Sequence, residues 1–377
     1  MIKLKPDSTT RLREYIKETL PWAHGHQLKA ILAFVVAIMD RQTGNQAELA
    51  RTQGNQEAAA KRLSRLIHNP RLGPLALADA VLEQALRQLP SHGKVRLAID
   101  WTIEEPKYLL VVSLVMGGRA VPIYWRAYDA SVLKGRMRRY ETAVIGRALR
   151  RVRRQIGPRR LRVTADRGFA DVALCDLLDA FQAEYTIRVK CSTKVYFRGQ
   201  WRPLQTMGFA GNARRRSLGR VYYCESQPHR LWVGMSRIRD EKGAWETWYL
   251  LSNRARRAQA MVAEYRHRFG CEQGFRDAKW QLGFAQARVR ATPAWARLFA
   301  LFALALWVLA TLGVTLLLGG RAKARALWRR VASRRRGRCE LSVISAMIHL
   351  LQQDSSLFAH LSPRTKLKLE ARLTNVS

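Results

Sequence analysis

Six side chains stand out for the chemistry that their types and spacing allow. Tyr265, Arg268, Glu272 and Lys279 fall in a segment, about 255 to 279, whose pattern predicts one long helix. At about 100° per residue the four share an arc of roughly 60° and extend about 21 Å along the axis. One helix face then presents an aromatic hydroxyl, two cations and, between them, a carboxylate. Such a face fits a phosphate backbone with a metal at its middle: Arg268 and Lys279 would grip phosphates and Tyr265 would hydrogen-bond one. The same spacing also suits a solvated face with Glu272 paired to Arg268 or Arg276. Asp100 and Asp166 each follow a run that reads as a strand. Carboxylates at adjacent strand ends can converge, and they repel unless a cation lies between them. Hard oxygen donors of this kind suit Mg²⁺ or Mn²⁺. Either aspartate alone reads equally as a turn or cap residue.

The elements that must carry these residues follow from hydrophobic period. Residues 1 to about 90 read as helical. Within them Asn45 is a cap, Thr52 to Asn55 is a glycine-bearing turn, and Gln56 to Ile67 is a basic helix. Helix, turn, basic helix is the outline of a helix-turn-helix, with Lys61, Arg62 and Arg65 as DNA contacts; an ordinary helical hairpin gives the same pattern. From Lys94 the pattern alternates. Three strands in hairpin order, a basic helix from about Arg138 to Gln155, a fourth strand, a helix and a fifth strand predict an α/β mixed sheet flanked by helices. Residues 191 to 253 are rich in Trp, Tyr, Gly and Arg and read as short antiparallel strands. Trp245 and Trp248 lie late in that stretch, as core residues or as rings that stack on an extruded base. Residues 298 to 318 carry no charge in 21 positions, which is long enough for a membrane span, but a single late span between charged regions is unusual and the pattern favours a helix buried on all sides.

Composition bounds the partners. The chain has 377 residues, with 67 Lys+Arg against 28 Asp+Glu, a net charge of +39 and a sequence pI near 11.3. A chain so basic calls for a polyanion, nucleic acid first and a membrane surface second. Its hydrophobic fraction of 48% is that of a folded protein rather than of a basic disordered tail. Five cysteines with no CxxC argue against a zinc knuckle or a disulfide framework and fit a reducing cytoplasm. The Arg147 to Arg162 stretch and the Arg334 to Arg338 run read as backbone tracks for DNA or as solvated faces. Glu104, Glu105, Asp129 and Asp277 read as surface or cap residues.

The spacing Tyr-x2-Arg-x3-Glu-x6-Lys, as Tyr265, Arg268, Glu272 and Lys279, resembles the YREK motif of the insertion-sequence-4 family of transposases. Asp166-Arg167-Gly168-Phe169 resembles that family's second-aspartate motif, and Leu97-Ala98-Ile99-Asp100 its first. The resemblance implies a ribonuclease-H-like core with an Asp-Asp-Glu triad of Asp100, Asp166 and Glu272 holding two divalent ions, Mg²⁺ or Mn²⁺. It implies a DNA transposase that cleaves the ends of its element and joins them to target DNA, acting as a homodimer on paired ends in the bacterial cytoplasm. Arg167, beside Asp166, becomes a phosphate contact. The domains expected are a helical DNA-binding region at 1–90, a ribonuclease-H-like catalytic domain at 91–320 with an inserted β subdomain at about 191–253, and a basic helical C-terminal region at 321–377. The resemblance also favours the buried helix at 298–318 over a membrane span. A nuclease of the same fold that cuts without joining, and a non-catalytic basic DNA-binding or membrane-anchored protein, are the alternative readings.

Overall fold

A computed structural model describes residues 2–52, 54–116, 118–157, 160–239, 243–318, 322–331, 341–367 and 369. The chain opens with five helices, α1 (Pro6–Thr19), α2 (Gly25–Arg41), α3 (Gln46–Ala50), α4 (Gln56–His68) and α5 (Pro74–Gln88). Strands β1 (Val95–Glu104), β2 (Lys107–Met116) and β3 (Arg119–Asp129) follow. Then come α6 (Ala130–Leu133), α7 (Met137–Gln155), β4 (Leu161–Ala165), α8 (Val172–Ala180) and β5 (Glu184–Val189). The antiparallel stretch holds β6 (Lys194–Phe197), β7 (Gln200–Pro203), β8 (Arg215–Tyr223), β9 (His229–Arg239) and β10 (Trp245–Ser252). Helices α9 (Ala258–Tyr265), α10 (Phe269–Arg276), α11 (Thr292–Leu316), α12 (Ala322–Val331) and α13 (Val343–Gln353) complete the described α-helices, and a 3-10 turn, Ser355–His360, follows α13. The order of the core, β1-β2-β3-α7-β4-α8-β5, is the one expected of a ribonuclease-H-like mixed sheet with flanking helices. The Arg334 to Arg338 run lies outside the described residues.

The chain forms two compact units. One comprises residues 1–93, 101–137 and 271–377; the other comprises 94–100 and 138–270. In the first, α11 is the core. It packs against α2, α4, α5, α13 and β3, because an apolar stripe on every side leaves no face for water. It is long and apolar enough to cross a membrane, yet 94% of its most apolar window is buried within the chain. Each fully buried Leu or Phe on it contributes about 1.5–3 kcal/mol. Arg297 is buried with it and donates Nε to Leu72 O (2.5 Å) in the loop before α5 and Nη1 to Ile67 O (3.0 Å), a carbonyl at the end of α4. Gln88 ties three elements together by polar contact: its Oε1 accepts from Tyr15 Oη (3.0 Å) and Trp307 Nε1 (3.1 Å).

In the second unit the inner half of β1 lies parallel to β4, in the register Val95↔Leu161 to Ile99↔Ala165. Strand β4 is parallel to β5. Strand β10 returns antiparallel against β5, Leu251 opposite Ile187. Strands β9, β8, β6 and β7 then extend the sheet in that order, all antiparallel. The inserted strands therefore continue the central sheet edge to edge.

One expectation is corrected. The segment 255–279 is not an uninterrupted α-helix. Helix α9 ends at Tyr265, a 3-10 turn occupies Arg266–Arg268, α10 runs from Phe269 to Arg276, and a π-turn spans Asp277–Gln281. Tightened and widened turns rotate the side chains that follow, so one shared arc does not describe all four motif residues. Gly274 on α10 sits where a Cβ would stand on the carbonyl oxygen of Ala120 in β3, so only glycine allows that approach.

Asp277 also departs from its expected surface role. It is 6% exposed, and its nearest cation is Arg119 Nε at 3.6 Å. Burial pushes its pKa up to about 6, against the opposing pull of Arg119 and Arg276. The folded state therefore holds this proton more tightly than the unfolded chain does. The cost of the charge, about 3 kcal/mol, is fully present above pH ~6 and disappears as pH falls towards ~4. Thermal unfolding of the wild type and of Asp277→Asn is expected to show the wild type gaining on the variant between pH 7 and pH 5. A difference that stays flat with pH contradicts this.

Candidate functional site

The site is built by register. Ile99 pairs with Ala165 across parallel β1 and β4, so the residues that follow, Asp100 and Asp166, come side by side; Asp166 lies just past the end of β4, whereas Asp100 lies inside β1, which runs on to Glu104 beyond the strand end expected at Asp100. Asp166 is followed by a 3-10 turn, Arg167–Phe169, closed by Phe169 N donating to Asp166 O at 2.9 Å. The turn leaves Arg167 exposed next to Asp166. Onto this pair comes the end of α9. Arg268 Nη2 donates to Asp100 Oδ2 at 2.9 Å and stands 3.5 Å from Asp166 Oδ2. Tyr265 Oη donates to Asp166 Oδ1 at 3.3 Å. Arg268 is 7% exposed and Tyr265 1%. Burial raises the Tyr265 pKa, with Arg268 opposing, so this hydroxyl stays protonated and available as a donor.

The expected residues divide between the two units. Asp100, Asp166, Tyr265 and Arg268 belong to one; Glu272 and Lys279 belong to the other. Glu272 is an exposed residue of α10. Lys279 Nζ lies 2.6 Å from Glu104 Oε1 and also reaches Ile103 O at 3.4 Å. Both motif cations thus contact carboxylates, Arg268 at the aspartates and Lys279 at the end of β1.

The donor set of the aspartates fits a hard divalent cation. Two carboxylate oxygens converge on one positively charged nitrogen, Arg268 Nη2, which stands where a cation between them would stand. Among the described residues no group of three or more His, Cys, Asp or Glu side chains gathers about one point.

Residues 132–308 match the family model of the transposase DDE domain. The match supports a DDE transposase. The matched segment contains Asp166, Tyr265, Arg268, Glu272 and Lys279, and Asp100 precedes it. No curated protein matches the chain.

In this unit two further layers hold Tyr265 and Arg268 in place, and sequence reasoning missed both. The first is ionic. Arg96 and Arg162 are direct neighbours across β1 and β4, and like charges in that relation repel. Glu264, one residue before Tyr265, answers both, at 3.0 Å from Arg96 and 3.6 Å from Arg162. Glu184 on β5 pairs with Arg162 at 2.9 Å and with Arg256 at 2.5 Å. All of these side chains are 20% exposed or less. The available signal was a charge at the second position of each otherwise apolar strand, Val95-Arg96-Leu97 and Leu161-Arg162-Val163.

The second layer is aromatic and corrects the base-stacking role for Trp248. Trp248 is 5% exposed and belongs to a core with Leu250, Met261, Val262 and Tyr265. It stacks on Phe269 at 5.5 Å and meets Tyr265 edge-on at 5.3 Å. A ring enclosed this way has no face left for a base. Trp245, by contrast, is 48% exposed, with the guanidinium groups of Arg214 and Arg239 at 4.9 and 5.0 Å from its ring.

The N-terminal contacts expected from the sequence lie on α4, which Asn55 caps by accepting from Ala58 N. Arg62 and Arg65 line an open groove of about 670 Å³ together with His26 and Lys29 of α2. Lys61 points elsewhere and pairs with Glu57 at 2.6 Å, because the two stand four residues apart on one helix face.

The burial contrast between the two tryptophans gives a direct test. Trp248→Ala is expected to cost about 3–5 kcal/mol in chemical denaturation and Trp245→Ala less than about 0.5 kcal/mol. Equal effects contradict the assignment of Trp248 to the core.

Proposed function

We propose that the chain is a DNA transposase of the cut-and-paste kind that binds the terminal repeats of its insertion element, cleaves there and joins the 3′ ends to target DNA. The observation that carries this reading is the pair Asp100 and Asp166, set side by side by strand register and converging on one cationic nitrogen. The match to a transposase DDE domain and the YREK spacing of Tyr265, Arg268, Glu272 and Lys279 support it.

In this reading Asp100, Asp166 and Glu272 hold the metal. Two bound Mg²⁺ or Mn²⁺ ions would supply Lewis acidity there, for an attacking water and for the leaving 3′ oxygen. Arg268 exchanges its carboxylate partners for a phosphate of the element end, since a guanidinium binds either with similar fork geometry. Tyr265 keeps one Asp166 oxygen oriented by donating to it. Lys279 and Arg167 take flanking phosphates, and Arg62 and Arg65 hold the terminal repeat at the N-terminal groove. The protein acts as a homodimer on paired ends in the cytoplasm, on the nucleoid. The basic excess of +39 supplies the salt-dependent attraction to DNA.

A supercoiled plasmid carrying the element's terminal repeats, incubated with the protein and Mg²⁺, is expected to yield end-specific cuts and joined products. Asp166→Asn or Glu272→Gln is expected to lower cleavage by roughly a hundredfold or more while end binding persists. Unchanged cleavage in both variants removes the metal assignment, and cutting with no joined product favours a nuclease.

A further inference from the structure

A row of rings, two exposed and one half-buried, crosses the sheet of the second unit at its far edge. Tyr196 of β6 is the register partner of Trp201 on β7 and of Tyr222 on β8, and Tyr222 is the partner of Arg230 on β9. Direct partners share a face, so Trp201, Tyr196, Tyr222 and Arg230 form one line across four strands. Ring centroids are 5.6 Å apart for Tyr196–Trp201 and 6.4 Å for Tyr196–Tyr222, and the Arg230 guanidinium lies 5.8 Å from the Tyr222 ring.

This line is open. Tyr196 is 39% and Tyr222 40% exposed. Helix α9 covers the same face of β9 only as far as Gly234, where a Cβ would strike Met261 and Ala258. Arg230, four residues back along the strand, stands clear and exposed. Two residues before Tyr222, Arg220 is also exposed on this face, opposite Trp232. Lys194, two before Tyr196, pairs with Glu225 at 3.1 Å. The opposite face of these strands carries Val195, Val221, Tyr223 and Leu231, all buried.

We propose that this row is a stacking platform for the bases of a single-stranded nucleic acid, separate from the aspartate pair. The composition of the face decides the occupant. The flanks of the three rings are the exposed guanidinium groups of Arg220 and Arg230, in a chain of net charge +39, and that charge selects a polyanion whose bases the rings can stack on. Aromatic faces with guanidinium groups between them take bases by stacking and backbone by charge, with little dependence on sequence. Strands β7, β6 and β8 offer one ring each, so the row accepts two or three successive bases. The inference rests on the nucleic-acid reading of the chain, and it adds an unpaired strand as a ligand.

The test is fluorescence anisotropy of the full chain with a labelled 15-nucleotide oligothymidine and with a blunt duplex of equal length, both in moderate salt. The double variant Tyr196→Ser/Tyr222→Ser, checked for an unchanged melting temperature, is expected to weaken the single strand at least tenfold and the duplex less than twofold. Tyr196→Phe/Tyr222→Phe is expected to restore single-strand affinity, since the ring and not the hydroxyl stacks. Equal loss on both DNAs, no loss on the single strand, or dissociation of an oligomer by the serine variant overturns the proposal. The assay needs no cleavage, so its failure beside normal end cutting would sink the platform alone. Its success beside an absence of cutting would sink the transposase reading alone.

Discussion

The structure turns on two negative charges that parallel pairing forces together. Strands β1 and β4 share a register that brings Asp100 and Asp166 out at the same level. Unit charges about 4 Å apart interact by about 4 kcal/mol at an effective dielectric constant of about 20. A fold cannot hold such a pair with both carboxylates ionised unless a cation lies between them. Arg268 supplies it, with one nitrogen reaching both carboxylates. An Arg buried to 7% exposure without those partners would be as costly as the aspartates without it. Neither side of the contact is stable alone, so this place in the fold is made for positive charge.

Everything nearby serves to bring Arg268 to that point. Glu264 and Glu184 neutralise the strand arginines and draw α9 down onto β1, β4 and β5. Trp248 and Phe269 form the apolar bed of Tyr265. The 3-10 turn at Arg266–Arg268 then replaces the next α-turn and sends Arg268 inward. Ionic and aromatic layers act on the same short helix, so the aspartate pair is positioned from several strands at once.

The succession of strands and helices was legible in the sequence from hydrophobic period, whereas the meeting of Asp100 and Asp166, and in part the preference for a buried α11 over a membrane span, leaned on the family resemblance. The antiparallel character of residues 194–252 was legible from hydrophobic period too. The interruptions at Arg266–Arg268 and Asp277–Gln281 were not. A helical period continues across them, and the departures arise from tertiary contacts such as Gly274 against Ala120. Trp248 and Trp245 illustrate the same limit. Both are tryptophans of one strand, three residues apart, and only the packing of α9 decides that one is core and the other exposed. Asp277 looked like a surface acid because its partner Arg119 is far away in sequence.

The central claim is that Asp100 and Asp166 form a cation site in which Arg268 is the resident charge. The most direct measurement is Mn²⁺ binding followed by electron paramagnetic resonance, on the full chain with and without a DNA duplex carrying the element end. The account predicts that the wild type takes up Mn²⁺ more tightly when DNA is present, that Arg268→Gln binds it tightly even without DNA, and that Asp100→Asn/Asp166→Asn binds none at this site. Equal Mn²⁺ uptake by the double aspartate variant and the wild type, in both conditions, would contradict it.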